Sequence, residues 1–292
     1  MRLSYGTPPA DAACAAGRRP QRPFQDAMSS MSRFFSHPLR WRTWAPRPRA
    51  KLQALPGMVL LCIALAVRAE AGASGAAFLP GADLIYTTTG TTQLGGFPIT
   101  LHARTTTHWR FAGDQYEASL HTDTVGFDQI SRGGLRSGGG LAPSRYTEKR
   151  PFHDPESVNI DWPGAQIRYG TAAPMPAPAP GAQDRLSLQF ELGALYREHP
   201  ERFGAGAVFA VQLIGPHAID DWKYVSAGEE NVETGRGTLR AVHLSARRPV
   251  RDTEETMDLW LAADLHQVPV RIRMVDRNHA LIDSVLQSVQ FP

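Results

Sequence analysis

The run from Phe97 to Phe111 constrains this chain more than any other. Phe97, Ile99, Leu101, Ala103, Trp109 and Phe111 are apolar, while Thr100, His102, Arg104, Thr106, His108 and Arg110 between them are polar. A period of two sends successive side chains to opposite faces of an extended chain, and a helix cannot gather that pattern onto one side. The run therefore requires a sheet with one face on a core. Gly113-Asp114 is a turn pair. Beyond it Tyr116, Ala118 and Leu120 alternate with Glu117, Ser119 and His121, which gives an antiparallel partner in a hairpin.

The same rhythm returns near the C-terminus. Met257, Leu259 and Leu261, then Val268, Val270, Ile272 and Met274, then Leu281, Val285, Val289 and Phe291 alternate with mostly polar neighbours. Asp264 to Gln267, Asp276-Arg277-Asn278 and Gly235-Arg236-Gly237 are turn clusters between such runs. With 26 Gly and 23 Pro along the chain, turns outweigh long helices. Two segments depart from the rhythm. Thr171 to Pro180 holds too many prolines for a central strand and reads as a stiff extended connector. From Asp184, a suitable N-cap, Leu188, Leu192, Leu195 and Tyr196 recur at helical spacing, with Leu186 and Phe190 widening the apolar face, until His199-Pro200 ends the helix. The expected fold is mainly β, a strongly curved antiparallel sheet or partly open β-barrel of about ten to twelve strands with one embedded α-helix. Residues 72–292 read as a single β-rich domain, with a split at the proline-rich stretch as the alternative.

The front of the chain reads as an address. Positions 1 to 69 carry eleven basic and two acidic residues; with chain totals of 31 and 28, that leaves 20 basic and 26 acidic residues downstream, a net charge of −6. A basic stretch ending at Lys51 precedes the apolar run Met58 to Val67, and Val67-Arg68-Ala69 or Ala69-Glu70-Ala71 then suits cleavage. Ten apolar residues fall short of the roughly 20 that span a bilayer. A cleaved export signal within residues 1–71 is expected, with a periplasmic product that keeps no transmembrane anchor. The stretch before the apolar run is too long for an ordinary n-region, and Met28 and Met31 offer later starts. Cys14 and Cys62 both fall in this leader, and Val59-Leu60-Leu61 lacks the small residue a lipid-attachment site wants. The product then has no cysteine, hence no disulfide, thiol nucleophile or thiolate metal ligand.

Familiar chemistry is hard to place in what remains. Gly133 to Gly140 lacks the Gly-Lys-Ser/Thr ending of a phosphate loop and opens no helix, so it reads as a hairpin tip or bulged strand. No Gly-x-Ser-x-Gly elbow occurs. His102 and His108 share a face but stand about 20 Å apart along a strand, too far to share an ion. His153 to Glu156 and His217 to Asp221 are turns without ligand spacing, and no metal or cofactor is expected. Glu229-Glu230, Asp252, Glu254, Glu255 and Asp258 read as solvated strand edges. The acidic balance downstream argues against nucleic acid. Trp109, Tyr146, Trp162, Trp222, Tyr224 and Trp260 either fill the core or line an apolar cavity under a curled sheet.

Five segments in this order, Pro80 to Tyr86, Gly140 to Tyr146, Ala182 to Leu188, Asp258 to Leu261 and Val268 to Ile272, resemble the exported proteobacterial domain-of-unknown-function family 3108. The resemblance implies a periplasmic, predominantly antiparallel β protein and carries no catalytic residues. Arg145, Tyr146, Gln183, Asp184, Arg185 and Trp260, the polar and aromatic residues of these segments, are the candidate ligand contacts; their structural alternative is as turn formers, caps and core. The leading expectation is a non-catalytic envelope protein that binds a lipid or small apolar ligand. The alternatives are a periplasmic hydrolase or isomerase with scattered site residues and an outer-membrane barrel, the latter opposed by the internal helix and the proline-rich connector.

Overall fold

The computed structural model describes residues 72–94, 97–124, 126–250, 253–276 and 279–292. The leader with Cys14 and Cys62 lies outside them, as does Asp252. Fifteen strands form one sheet: β1 (Gly81–Leu94), β2 (Phe97–Ala112), β3 (Gln115–Thr122), β4 (Phe127–Leu135), β5 (Leu141–Lys149), β6 (Glu156–Asp161), β7 (Gln166–Tyr169), β8 (Met175–Pro176), β9 (Gln183–Asp184), β10 (Val208–Ile214), β11 (Ile219–Thr234), β12 (Gly237–Val250), β13 (Thr253–Ala262), β14 (Pro269–Val275) and β15 (Leu281–Gln290). Their spatial order is β8 back to β1, then β15 back to β9. All neighbours are antiparallel except β9 and β10.

The expected count of about ten to twelve strands is too low. The additional ones are short: β8 is two residues within the proline-rich connector and β9 is two residues where the helix cap was expected. Both sit at the edges of the sheet, where a proline costs no ladder hydrogen bond. The hairpin around Gly113-Asp114 pairs Ala112 with Gln115, and Gly113 takes a left-handed φ of 63°.

Four register shifts curve the sheet, between Ile85 and Tyr86, Arg132 and Gly133, Ser226 and Gly228, and Trp260 and Leu261. A bulge adds a residue to one strand and bends it while sharpening its twist. Two of them depend on glycine. Gly228 has φ 88°, and a Cβ on Gly133 would lie 2.2 Å from the Ala142 carbonyl oxygen.

Helix α1 (Ser187–Glu198) lies inside the curve. It begins two residues later than an Asp184 N-cap would place it, because Gln183-Asp184 is drawn into pairing with Leu213-Ile214. Its Phe190 ring stacks on Trp109 of β2 at 4.2 Å, and Trp109 Nε1 donates to the Leu79 carbonyl at 2.8 Å. His199-Pro200 ends it, and residues Pro200–Phe203 continue as a 3-10 turn. Strands β6 to β8 wrap past the β9–β10 edge, burying Val158, Ile160 and Ile167 against Ala182 and Ile214 in a second, smaller core.

The curve stops short of closing. No backbone ladder joins β4 and β5 to β9 and the helix; side chains bridge them instead. Gln183 Nε2 donates to the Leu141 carbonyl at 2.8 Å, Ser131 Oγ donates to Asp184 Oδ2 at 2.5 Å, and the Leu141 amide donates to Glu191 Oε2 at 2.8 Å. This side-chain seam is where much of the buried polarity gathers.

Candidate functional site

Between α1 and the strand ends that carry the β1–β2, β3–β4 and β14–β15 connections, the sheet leaves a cavity of about 120 Å³. Strand parity decides its lining. Leu101, Ala103, Leu120, Phe127, Met257, Leu259, Ile272, Met274 and Ile282 are inner-face positions, and Leu188 closes it from the helix. The wall is notched. Residues 97–103 of β2 pair with β1 alone, since β3 pairs only from Thr105 onward, and Ile99, Leu101 and Ala103 are half-exposed there.

A row of hydroxyls crosses this apolar wall over four adjacent strands. Ser284 Oγ and Thr88 Oγ1 lie 2.8 Å apart, Thr88 and Thr105 2.7 Å, and Thr105 and Thr122 2.9 Å. All four residues line the cavity. Three hydrogen bonds among four hydroxyls leave one hydroxyl hydrogen over.

The seam adds charge. Inner positions of β5 carry Tyr146 and Glu148, with Arg150 one step beyond the strand, all buried. Gln129 Nε2 donates to the Tyr146 hydroxyl at 2.7 Å and to Glu148 Oε2 at 3.2 Å, and Tyr146 donates to the same carboxylate oxygen at 2.7 Å. Arg185 Nη1 stands 3.6 Å from Glu148 Oε2, and Arg150 Nε 4.0 Å from Oε1. Arg150 also pairs with Glu156, which His217 approaches at 3.2 Å. Burial, and then the nearby Glu148 charge, push the Tyr146 phenol far up, so it acts here as a neutral donor.

Asp184 is fully buried and saturated. Its Oδ1 accepts from the Leu186 amide at 2.9 Å and the Ser187 amide at 2.8 Å, which caps α1 from two residues upstream, while Oδ2 takes the Ser131 hydroxyl. Burial pushes its carboxyl up to about 6 from 3.8. A carboxyl whose folded value exceeds its unfolded one stabilises the fold in its protonated form; that contribution is complete below about pH 4 and is lost as pH rises through about 6. Asp184→Asn keeps the acceptor and removes the titration. Between pH 4 and pH 7 the wild type is expected to lose about 2 kcal/mol relative to this variant in urea unfolding. A gap that stays constant across the interval would contradict the assignment.

The six residues picked from the sequence do not form one site. Arg185 lines the cavity; Tyr146, Gln183 and Asp184 stand behind it in the seam. Arg145 and Trp260 face away from the cavity, on the other side of the sheet. Arg145 alternates with inward Tyr146 and is exposed. Trp260 alternates with Leu259 and Leu261. Its ring stacks on His243 at 4.2 Å, lies under Arg271 at 5.1 Å and donates to Glu230 Oε1 at 2.5 Å. Of the aromatics, Tyr224 lines the cavity and Trp109 belongs to the core. His108 and His121 bond Asp83 and Asp128 on the outer surface. Among the described residues no group of three or more His, Cys, Asp or Glu is placed to hold a metal ion, and no helix is long and apolar enough to cross a membrane.

Gln129, Glu148, Arg150 and the hydroxyl row were not picked out from the sequence. Their one signal was parity: Tyr146, Glu148 and Arg150 fall on the inward register of β5, where a polar residue breaks the pattern used to find strands.

No curated protein matches the chain. Two solved structures are similar to it in shape. One is a beta-barrel-like protein of domain of unknown function DUF1849 from Brucella abortus, 10% identical, with 74% of this chain and 99% of that one covered at a TM-score of 0.47. The other is a DUF1329 family protein from Desulfovibrio piger ATCC 29098, also 10% identical, with coverage of 72% and 85% and a TM-score of 0.25. The family described as "Protein of unknown function (DUF3108)" matches residues 86–279, from β1 through the β14–β15 connection, and the chain belongs to that family.

Proposed function

We propose that this is a non-catalytic binding protein that holds an apolar or amphiphilic ligand in the cavity under its curved sheet, and that it serves the cell envelope after export. One observation carries the reading: a largely apolar, notched cavity lies between helix and sheet, where a purely structural core would be filled. The N-terminal charge and apolar run support export. An enzyme would need a proton-transfer or nucleophilic group at the wall. The described wall offers hydroxyls, amides, a high-titrating phenol and one arginine, while Glu148, hydrogen-bonded through Oε2 alone, and Asp184, bonded through both oxygens, stand behind it.

The test uses 1-N-phenylnaphthylamine, an uncharged apolar fluorophore that brightens out of water. The full chain is expected to bind it saturably. Ala103→Trp, which fills the cavity from β2, is expected to weaken binding by at least about tenfold at an overpacking cost of about 1–3 kcal/mol. No saturable signal, or equal binding by the variant, would overturn the cavity reading. Fractionation of cells expressing the full chain tests the placement: a shortened product released with the periplasm is expected, and an unshortened cytoplasmic one contradicts it.

A further inference from the structure

Resting on the export part of that reading, we infer that the leader is cut between Ala71 and Gly72, and that the segment this exposes, residues 72–79, is a structural strap seated on the glycine turn at Gly138 to Gly140. The sequence alone leaves the cut open. Besides Val67-Arg68-Ala69 and Ala69-Glu70-Ala71, small residues at both flanking positions recur downstream, as at Ala71-Gly72-Ala73, Ser74-Gly75-Ala76 and Gly75-Ala76-Ala77. Cuts at these downstream repeats would remove groups that the fold uses. The Ala73 carbonyl accepts from the Gly140 amide at 2.6 Å, and the Ala73 amide donates to Glu191, the carboxylate that also takes the Leu141 amide in the seam. The Ser74 amide donates to Glu198 Oε2 at 2.7 Å, and Arg197 donates to the Ala77 carbonyl. Ala73, Ala77 and Phe78 are buried, with the Phe78 ring 5.2 Å from that of Phe111 and 6.2 Å from that of Trp109. One short segment is thus tied to the turn, to the helix and, through Glu191, to the seam.

Of the two cuts upstream, Ala69-Glu70-Ala71 has alanine at both flanking positions, and it ends where the steric demand of the fold begins. A Cβ on Gly72 would lie 2.6 Å from the Gly139 carbonyl oxygen and 2.6 Å from the Gly140 Cα, so only glycine fits at the head of the strap. The turn has the matching requirement. A Cβ on Gly139 would lie 2.5 Å from the Gly72 carbonyl oxygen and 2.8 Å from that of Ala73, and one on Gly140 would lie 2.6 Å from Glu191 Oε1. Gly138 shares their left-handed backbone, with φ 101° against 92° and 82°, yet has open space around it. The glycines that the sequence marks as a hairpin tip therefore do more than turn the chain: two of them let a second backbone lie directly against the first.

The experiment expresses the full chain, takes the product released with the periplasm, and reads its intact mass and first residues. A product that begins at Gly72 is expected. An unshortened product would remove the export reading itself, whereas a shortened one with any other first residue would overturn the assigned cut and leave export in place. The strap is tested on the same released product by the rate at which an aminopeptidase trims it. Gly139→Ala and Gly138→Ala both place a side chain on a left-handed backbone, but only the first collides with the strap. Gly139→Ala is expected to speed trimming past Ala73 by at least about tenfold over wild type, and Gly138→Ala by less than about threefold. Equal rates for the two variants would overturn the strap. If Gly139→Ala yields no product, wild type decides alone: its strap is expected to be trimmed at least about tenfold more slowly than a free peptide of residues 72–80, and trimming at the rate of the peptide would overturn the strap.

Discussion

Trp109→Ala is expected to lower the unfolding free energy by about 3–5 kcal/mol. The side chain is 1% exposed, and its ring joins three parts of the molecule. It stacks on Phe190 of α1 at 4.2 Å and on Tyr116 of β3 at 5.4 Å, and its Nε1 bond to the Leu79 carbonyl holds the segment that leads into β1. Truncation opens a cavity between helix and sheet and leaves that carbonyl without its donor. Trp109→Phe refills part of the volume but cannot restore the bond, so it is expected to cost about 1–3 kcal/mol. Urea unfolding followed by circular dichroism measures both. A loss under about 1 kcal/mol for the alanine variant would mean that the helix is anchored elsewhere.

Glu148→Ala is expected to be as damaging, about 3–5 kcal/mol, for an electrostatic reason. Removing the carboxylate takes the steadying charge from Arg185 and one of two acidic partners from Arg150. It also strips an acceptor from Tyr146 and Gln129. Breaking a buried pair from one side costs more than replacing it outright. The double variant Glu148→Leu with Arg185→Leu should therefore lose less than the sum of its single changes, by about 1–3 kcal/mol. Additive losses in the same urea measurements would show that Arg185 and Glu148 are not coupled.

The sheet was legible in the chain because its inner face is apolar where the sequence is most regular. Phe97 to Phe111, Tyr116 to Leu120 and Met257 to Leu261 announce their parity, and Asp184 announces a cap. What sequence could not supply is which inward positions meet across strands. Thr88, Thr105, Thr122 and Ser284 are ordinary strand residues until pairing sets them in one row, because the information lies in register between strands and not within any one of them. Trp260 shows the opposite limit. An indole near the middle of an apolar strand suggests core, and Trp260 is buried within the main apolar cluster, yet its parity turns it away from the cavity, toward His243 and Arg271. The short edge strands escaped because two residues carry no period at all.

The order of the strands has a kinetic consequence. Each backbone pairing joins consecutive strands except that of β1 with β15, so apart from the parallel β9–β10 contact across the helix two ribbons can each grow by adding one neighbouring hairpin after another at little loop-closure cost. The entropic cost of bringing distant chain together is then concentrated in two events, the β1–β15 pairing and the meeting of the side-chain seam. The first uses a long ladder and the second only scattered side-chain bonds. The seam is thus the step with the least to hold it, and opening there would part the barrel wall without breaking one rung of the sheet.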